Sequence, residues 1–172
     1  MTAGIAETSD LPKFYCGMRR KVNYKKEYQP DPVYDNALIG RFINQVMRNG
    51  KKSVAQKIVF KAFETIEKTK KENPVTVFEA AIRNTSPLVE TRSKRVGGAN
   101  YQVPMEVRGE RKIALAMRWI LAASRSKKGK PMHEKLAEEL ILASRNEGGA
   151  VKKKVDVQRM AEANRAFAHF AR

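Results

Sequence analysis

One cysteine, two histidines and no bilayer-length apolar run leave several function classes without material in this 172-residue chain. Cys16, standing alone, rules out an intrachain disulfide and fits a reducing compartment. Metal ligation requires several Cys, His or acidic groups at defined spacing. His133 and His169 lie far apart, with no partner at ligand spacing and no nucleophile signature. Neither a metal site nor catalysis is therefore expected. Gly97-Gly98 and Gly148-Gly149 match neither a Walker loop nor a dinucleotide fingerprint, so no nucleotide cofactor is expected. No basic segment followed by an apolar run opens the chain, which argues against export. No stretch approaches the roughly 18 apolar residues of a membrane span. The expectation is a cytosolic protein with no membrane partner and no small-molecule substrate.

Acidic residues are also scarce. Lys and Arg number 35 against 18 Asp and Glu, a formal charge of +17. So lopsided a balance self-repels unless a polyanion neutralises it, and nucleic acid is the usual one. Hydrophobic residues make up 42% of the chain, enough for a core. At this length a single domain buries about 70% of its unfolded surface.

Residues 1–17 carry no arginine and little pattern. They read as a disordered extension, either lineage-specific or the product of a start codon placed too early. Residues 18–34 form an extended basic arm. Tyr24 and Tyr28 are set among Arg19, Arg20, Lys21, Lys25 and Lys26, and Pro30 and Pro32 keep the backbone open. Such arms track phosphates and stack on bases; a solvated tail is the plainer alternative.

A helical domain follows over 35–172. Asp35 is expected to cap a first helix with the stripe Ile39, Phe42, Ile43 and Val46, stopped by Gly50. Lys51 and Lys52 fall in the turn. Ser53 with Gln56 makes a capping-box pattern for a second helix, striped by Ala55, Ile58, Val59, Ala62, Phe63 and Ile66 and ended before Pro74. Thr76 with Glu79 repeats the box for a short third helix burying Phe78, Ala81 and Ile82. Residues 110–126 are apolar around nearly their whole circumference, interrupted by Arg118, which places this helix at the centre of the core. Its ends carry Arg111, Lys112, Arg125, Lys127, Lys128 and Lys130. Residues 131–147 are acidic and should face solvent or a basic neighbour. The last helix, about 150–168, opens on Lys152, Lys153 and Lys154. Cations there oppose the helix dipole, a local cost that makes sense if they meet phosphate. Val157, Met160, Ala161 and Asn164 should face inward.

Between the third and fourth helices, residues 88–108 read as a two-stranded ribbon. Tyr101, Val103, Met105 and Val107 alternate with polar or rigid residues, as in a strand covered on one face. Gly97-Gly98 supplies the positive φ of a tight reversal. Each limb of about eight residues reaches some 25 Å at ~3.3 Å per residue. Such a ribbon is marginal alone and must lie on something. Arg92, Lys94 and Arg95 crowd the tip beside Tyr101, which suits a polyanion; a solvated surface hairpin fits the arm's own residues equally. The fold expected is mainly α: one bundle of about six helices with an inserted hairpin and a basic arm.

The runs GKKSVAQKIV at 50–59, KRVGGANYQVP at 94–104, ALAMRWIL at 114–121 and RMAEANRAFAHF at 159–170 resemble the bacterial-type small-subunit ribosomal protein seven family. The resemblance runs from Met18 onward without large gaps, with departures at Ala99-Asn100, Gly109-Glu110, Val155 and Gln158. It implies a structural protein of the small-subunit head that binds the 3′ major domain of the small-subunit rRNA and helps that domain fold. Arg19, Arg20, Lys21, Lys25, Lys26, Lys51, Lys52 and the cations Arg108, Arg111, Lys112 and Arg118 would meet rRNA. The arm, with Arg92, Lys94, Arg95, Gly97, Gly98 and Tyr101, would lie towards the exit-site tRNA and the messenger. Small-subunit proteins nine and eleven would be neighbours. A stand-alone RNA-binding regulator repressing its own operon is the alternative. A DNA-compacting protein would instead concentrate Arg, Asn and Gln on one recognition helix, whereas these cations are dispersed.

Overall fold

Why these stripes make one bundle is visible in a computed structural model, which describes residues 30–171. The elements run α1 (Ala37–Val46), α2 (Lys52–Lys70), α3 (Pro74–Thr85), β1 (Val89–Val96), β2 (Ala99–Glu106), α4 (Gly109–Ser126), α5 (Met132–Ser144), α6 (Gly149–Ala163) and a 3-10 helix, Arg165–Ala171. The fold is the mainly helical one expected, with a hairpin between α3 and α4. Every stripe residue expected of α1 is buried, and so are all those of α2 except Ile58, which is half-buried. Phe42, Phe63 and Phe78 come from α1, α2 and α3. Their rings meet in a chain, with centroids 5.1 Å apart for Phe42–Phe78 and 5.7 Å for Phe63–Phe78. Helix α5 closes the bundle against α2, α3 and α4.

Helix starts differ from the sequence reading, at α1 and α3 because a neighbouring asparagine makes the cap. Asp35 takes a φ of +44°, and Asn36 caps α1 instead, its side chain accepting from Leu38 N–H at 2.8 Å. Helix α1 ends at Val46, well before Gly50. Ser53 lies inside α2, whose N-cap Lys51 makes no side-chain bond. Asn73 caps α3 by accepting from Val75 N–H at 3.0 Å, with Pro74 as the first helical residue, where its missing N–H is harmless. Thr76 is within that helix and donates to the Asn73 carbonyl. Helix α4 is central, touching α1, α3, α5 and α6. It buries most of its circumference, through Leu115, Ala116, Met117, Ile120, Leu121 and Ser124, and leaves one narrow strip open. Ala122 is exposed and Trp119 half-buried against the core. Met160 on α6 points outward, 45% exposed, while Val157 and Ala161 are buried.

The join between α5 and α6 carries a buried charge. Glu139 is fully buried; its Oε1 accepts from Ala150 N–H at 2.9 Å, satisfying the first turn of α6. Oε2 lies 2.9 Å from Lys127 Nζ as an ion pair, outside good hydrogen-bond alignment. Gly148 permits this approach: its φ is +94°, and a Cβ there would sit 2.8 Å from Oε1.

The ribbon forms as read. Val89 pairs with Glu106 and Val96 with Ala99, leaving Gly97-Gly98 as a two-residue turn with φ values of +57° and +90°. Both positive values match a turn whose twist suits a hairpin. Val103 and Val107 are buried, Tyr101 and Met105 half-buried. The surface under the ribbon is α6 and the 3-10 helix. Tyr101 meets Phe167 and Phe170 at 5.1 and 5.4 Å between centroids, and Lys94 Nζ donates to the Phe170 carbonyl at 2.6 Å.

Candidate nucleic-acid interface

Helix α4 organises the exposed cations. Arg111, Arg118 and Arg125 recur every seven residues, close to two turns, so they fall on one stripe about 10.5 Å apart at 1.5 Å per residue. All three are exposed, on the side of the helix away from the buried Ala116 and Ile120. The apolar pattern draws the eye in sequence, yet the sevenfold spacing was legible and brings Arg125 into line with Arg111 and Arg118. Arg108 precedes the stripe as the exposed N-cap residue of α4, and Lys112 is half-buried beside it. Glu110 lies in the first helical turn, where an acid favours the dipole, and its carbonyl accepts from Arg41 Nη2 at 3.0 Å.

At the amino end of this stripe the arm is joined to α4 through Glu90. Alternation puts Glu90, Arg92 and Lys94 on the ribbon face that carries Met105, Val103 and Tyr101, and Arg95 with Asn100 on the other. Glu90 is 8% exposed. Its Oε1 accepts from Arg92 Nε and from Arg111 Nε, both at 2.8 Å, and Oε2 accepts from Arg111 at 3.0 Å. Burial pushes the Glu90 carboxyl up, but the Arg111 and Arg92 hydrogen bonds and charges outweigh it and hold the group below its ordinary value. No sequence signal marked Glu90, which lies 21 residues from Arg111.

A carboxyl with a depressed folded-state value stabilises above its unfolded value and loses that contribution as pH falls through the folded one. Both arginines are half-exposed, so solvent screens the pair and the link is a modest one. Glu90→Gln should lower the thermal midpoint at neutral pH, and the gap from the unmodified protein should close below about pH 4. A gap of constant size from neutral to strongly acid pH, followed by circular dichroism, would show that the charge is not what matters.

The remaining cations divide. Lys51 and Lys52 are exposed at the start of α2, Lys51 near Arg48 and Arg125. Lys152 and Lys153 are exposed on the first turn of α6. Lys154 turns inward, and its Nζ donates to the Asn84 carbonyl at 2.7 Å, near the carboxyl end of α3 where a cation is favoured. Gly97, Gly98 and Arg95 are exposed at the ribbon tip; Tyr101 is occupied by Phe167 and Phe170. Arg19, Arg20, Lys21, Lys25 and Lys26 lie outside the described residues. Helix α5 meets its basic neighbours: Glu138 pairs with Lys130, whose hydrogen bond and charge hold the carboxyl below its ordinary value, and with Lys127. Those acids are thereby occupied by the protein's own lysines.

Among the described residues, no group of His, Cys, Asp and Glu could hold a metal ion, and no helix is long and apolar enough to cross a membrane. The family model described as Ribosomal protein S7p/S5e matches residues 18–165. The chain is 57% identical over 153 residues to a Thermosipho africanus protein named Small ribosomal subunit protein uS7, covering 89% of this chain and 99% of that one. Proteins bearing the same name from Thermotoga maritima and Fervidobacterium nodosum are each 54% identical over the same shares.

Proposed function

Because the chain belongs to the S7p/S5e ribosomal-protein family, a structural and non-enzymatic component of the small subunit, we propose that it binds the 3′ major domain of the small-subunit rRNA and organises assembly of the head. The observation that carries this reading is the arginine stripe of α4, Arg111, Arg118 and Arg125, continued by Arg108 and by Lys51 and Lys52. Arginine at fixed spacing on a rigid helix contacts phosphates without reading sequence, and such contacts set position and supply most of the affinity. A scaffold with cations at several ends can hold several RNA helices at once, which lowers the entropy cost of bringing them together. In this proposal the basic residues of 18–34 and the exposed Lys152 and Lys153 add further phosphate contacts.

In this proposal the ribbon reaches with its tip, Arg95 and Gly97-Gly98, towards the exit-site tRNA and messenger. Arg92 and Lys94 hold the ribbon down as well as adding charge. Proteins nine and eleven of the small subunit are the proposed neighbours, and the ribosome in the cytoplasm is the proposed location.

The test is binding to a transcribed 3′ major-domain fragment against a scrambled RNA of equal length, across a salt series. Both affinities should fall with salt, because counterion release is indifferent to sequence. The native fragment should keep a preference of roughly 10³ at physiological salt. Coincident curves throughout would reduce the protein to a generic polycation and end the proposal.

A further inference from the structure

Where the carboxyl end of α4 meets the turn between α1 and α2, the surface opens into a notch of ≈ 310 Å³. Its floor is apolar: Val54, Ile58 and Met132. Its rim is cationic: Arg48, Lys51 and Arg125. Among the described residues, no acidic side chain lines it. Val54 is 50% exposed, a β-branched aliphatic left in water between lysines. The Arg48 and Lys51 side chains make no ion pair or hydrogen bond among the described residues, and Arg125 reaches only the Val46 carbonyl, at 3.4 Å. Desolvation and the neighbouring Arg48 charge push the Arg125 guanidinium below its ordinary value. Like charges held together over an apolar floor are a cost to the free protein that an anion relieves.

The two halves of the notch limit what fits. A duplex backbone satisfies the cations and leaves Val54, Ile58 and Met132 wet. An apolar peptide covers the floor and leaves three cations unanswered. An unpaired nucleotide answers both, with a flat base over the aliphatic floor, a guanidinium plane beside it and its phosphate on the rim. We propose that this notch receives a single unstacked nucleobase of the bound RNA, with Arg48, Lys51 and Arg125 holding the flanking phosphates. The inference rests on the rRNA-binding reading and adds to it a site for a splayed base, at the opposite end of α4 from the ribbon.

The test uses the full-length chain with the 3′ major-domain fragment. Val54→Glu places an acid over the floor; it falls in the first turn of α2, where an acid favours the helix, so the fold is retained. Lys51→Gln removes a rim charge. Lys68→Gln, exposed in the last turn of α2, changes net charge by the same amount as Val54→Glu outside the notch. Val54→Glu should weaken binding roughly ten- to hundredfold, because it removes the apolar seat and sets a carboxylate beside the phosphates. Lys51→Gln should weaken it severalfold and Lys68→Gln by less than about twofold. In 2′-hydroxyl acylation probing, one unpaired nucleotide whose reactivity changes with the unmodified protein should stay unchanged with Val54→Glu.

If the unmodified protein prefers the native fragment but all three variants bind alike, the notch is not a base site and the proposal falls alone. If the unmodified protein shows no preference, the rRNA-binding reading fails and this proposal fails with it. A Val54→Cys variant, made with Cys16→Ser so that it carries one thiol, tests the remaining occupant. If that thiol is protected from alkylation in the free protein and deleting residues 1–29 exposes it, the chain's own amino-terminal segment fills the notch, which also overturns the proposal.

Discussion

Glu139→Ala is expected to lower the unfolding free energy by about 3–5 kcal/mol, the range for breaking a buried pair by deleting one partner. The carboxylate is fully buried and makes two contacts of different kinds: the Ala150 amide at Oε1 and the Lys127 ammonium at Oε2. Deletion leaves the Ala150 amide without an acceptor and a cavity where Gly148 was packed against Oε1. Lys127 is 28% exposed and can turn to water, which puts the loss at the lower end. Its neighbour Glu138 is 42% exposed and also pairs with Lys127, so Glu138→Ala should cost no more than about 1 kcal/mol. Urea unfolding of both variants decides it. A Glu139→Ala midpoint equal to that of the unmodified protein would show that Glu139 adds nothing to the α5–α6 join.

Phe63→Ala should be comparably severe, about 3–5 kcal/mol. Phe63 is fully buried on α2 and touches Phe78 of α3 at 5.7 Å and Tyr34, which precedes α1, at 5.4 Å in an edge-on contact. Its loss removes the ring shared by three segments, and the surrounding helices cannot close over the gap without moving Ala62 or Ile66, both fully buried. The urea midpoint should fall with the slope of the transition unchanged. A drop below about 1 kcal/mol would mean that the bundle collapses around the cavity far more readily than close-packed interiors do.

These two positions are unequally visible in the sequence. Phe63 sits on a stripe at helical spacing, and burial follows from the pattern alone. Glu139 sits in a run of acids that reads as a solvated face; only the crossing of α5 and α6 selects it from Glu134 and Glu138. The caps show the same division. Asp35, Ser53 and Thr76 are all good capping residues, and none of them caps, because local sequence offers several candidates within one turn. The backbone chose Asn36 and Asn73, and at α2 no side chain at all.

The interface followed a parallel course. The exposed lysines at 51, 52, 152 and 153 could be named from the sequence, but their company could not. Lys154 and Lys94 looked like phosphate ligands and each donates to a backbone carbonyl of the same chain. Arg92 and Arg111 share a carboxylate that no motif announced. Long-range pairs of this kind depend on the angle between elements, which periodicity does not encode.

The seat of the ribbon also bears on how the protein is made. Lys94 and its acceptor on Phe170 are 76 residues apart. At about 5–20 residues per second, translation leaves the finished hairpin waiting several seconds for Phe167 and Phe170 to emerge. Through that interval the two strands have an uncovered apolar face and open edges, the condition in which ribbons mispair with other chains. Until those rings arrive, the inserted arm is the part of the fold most open to mispairing.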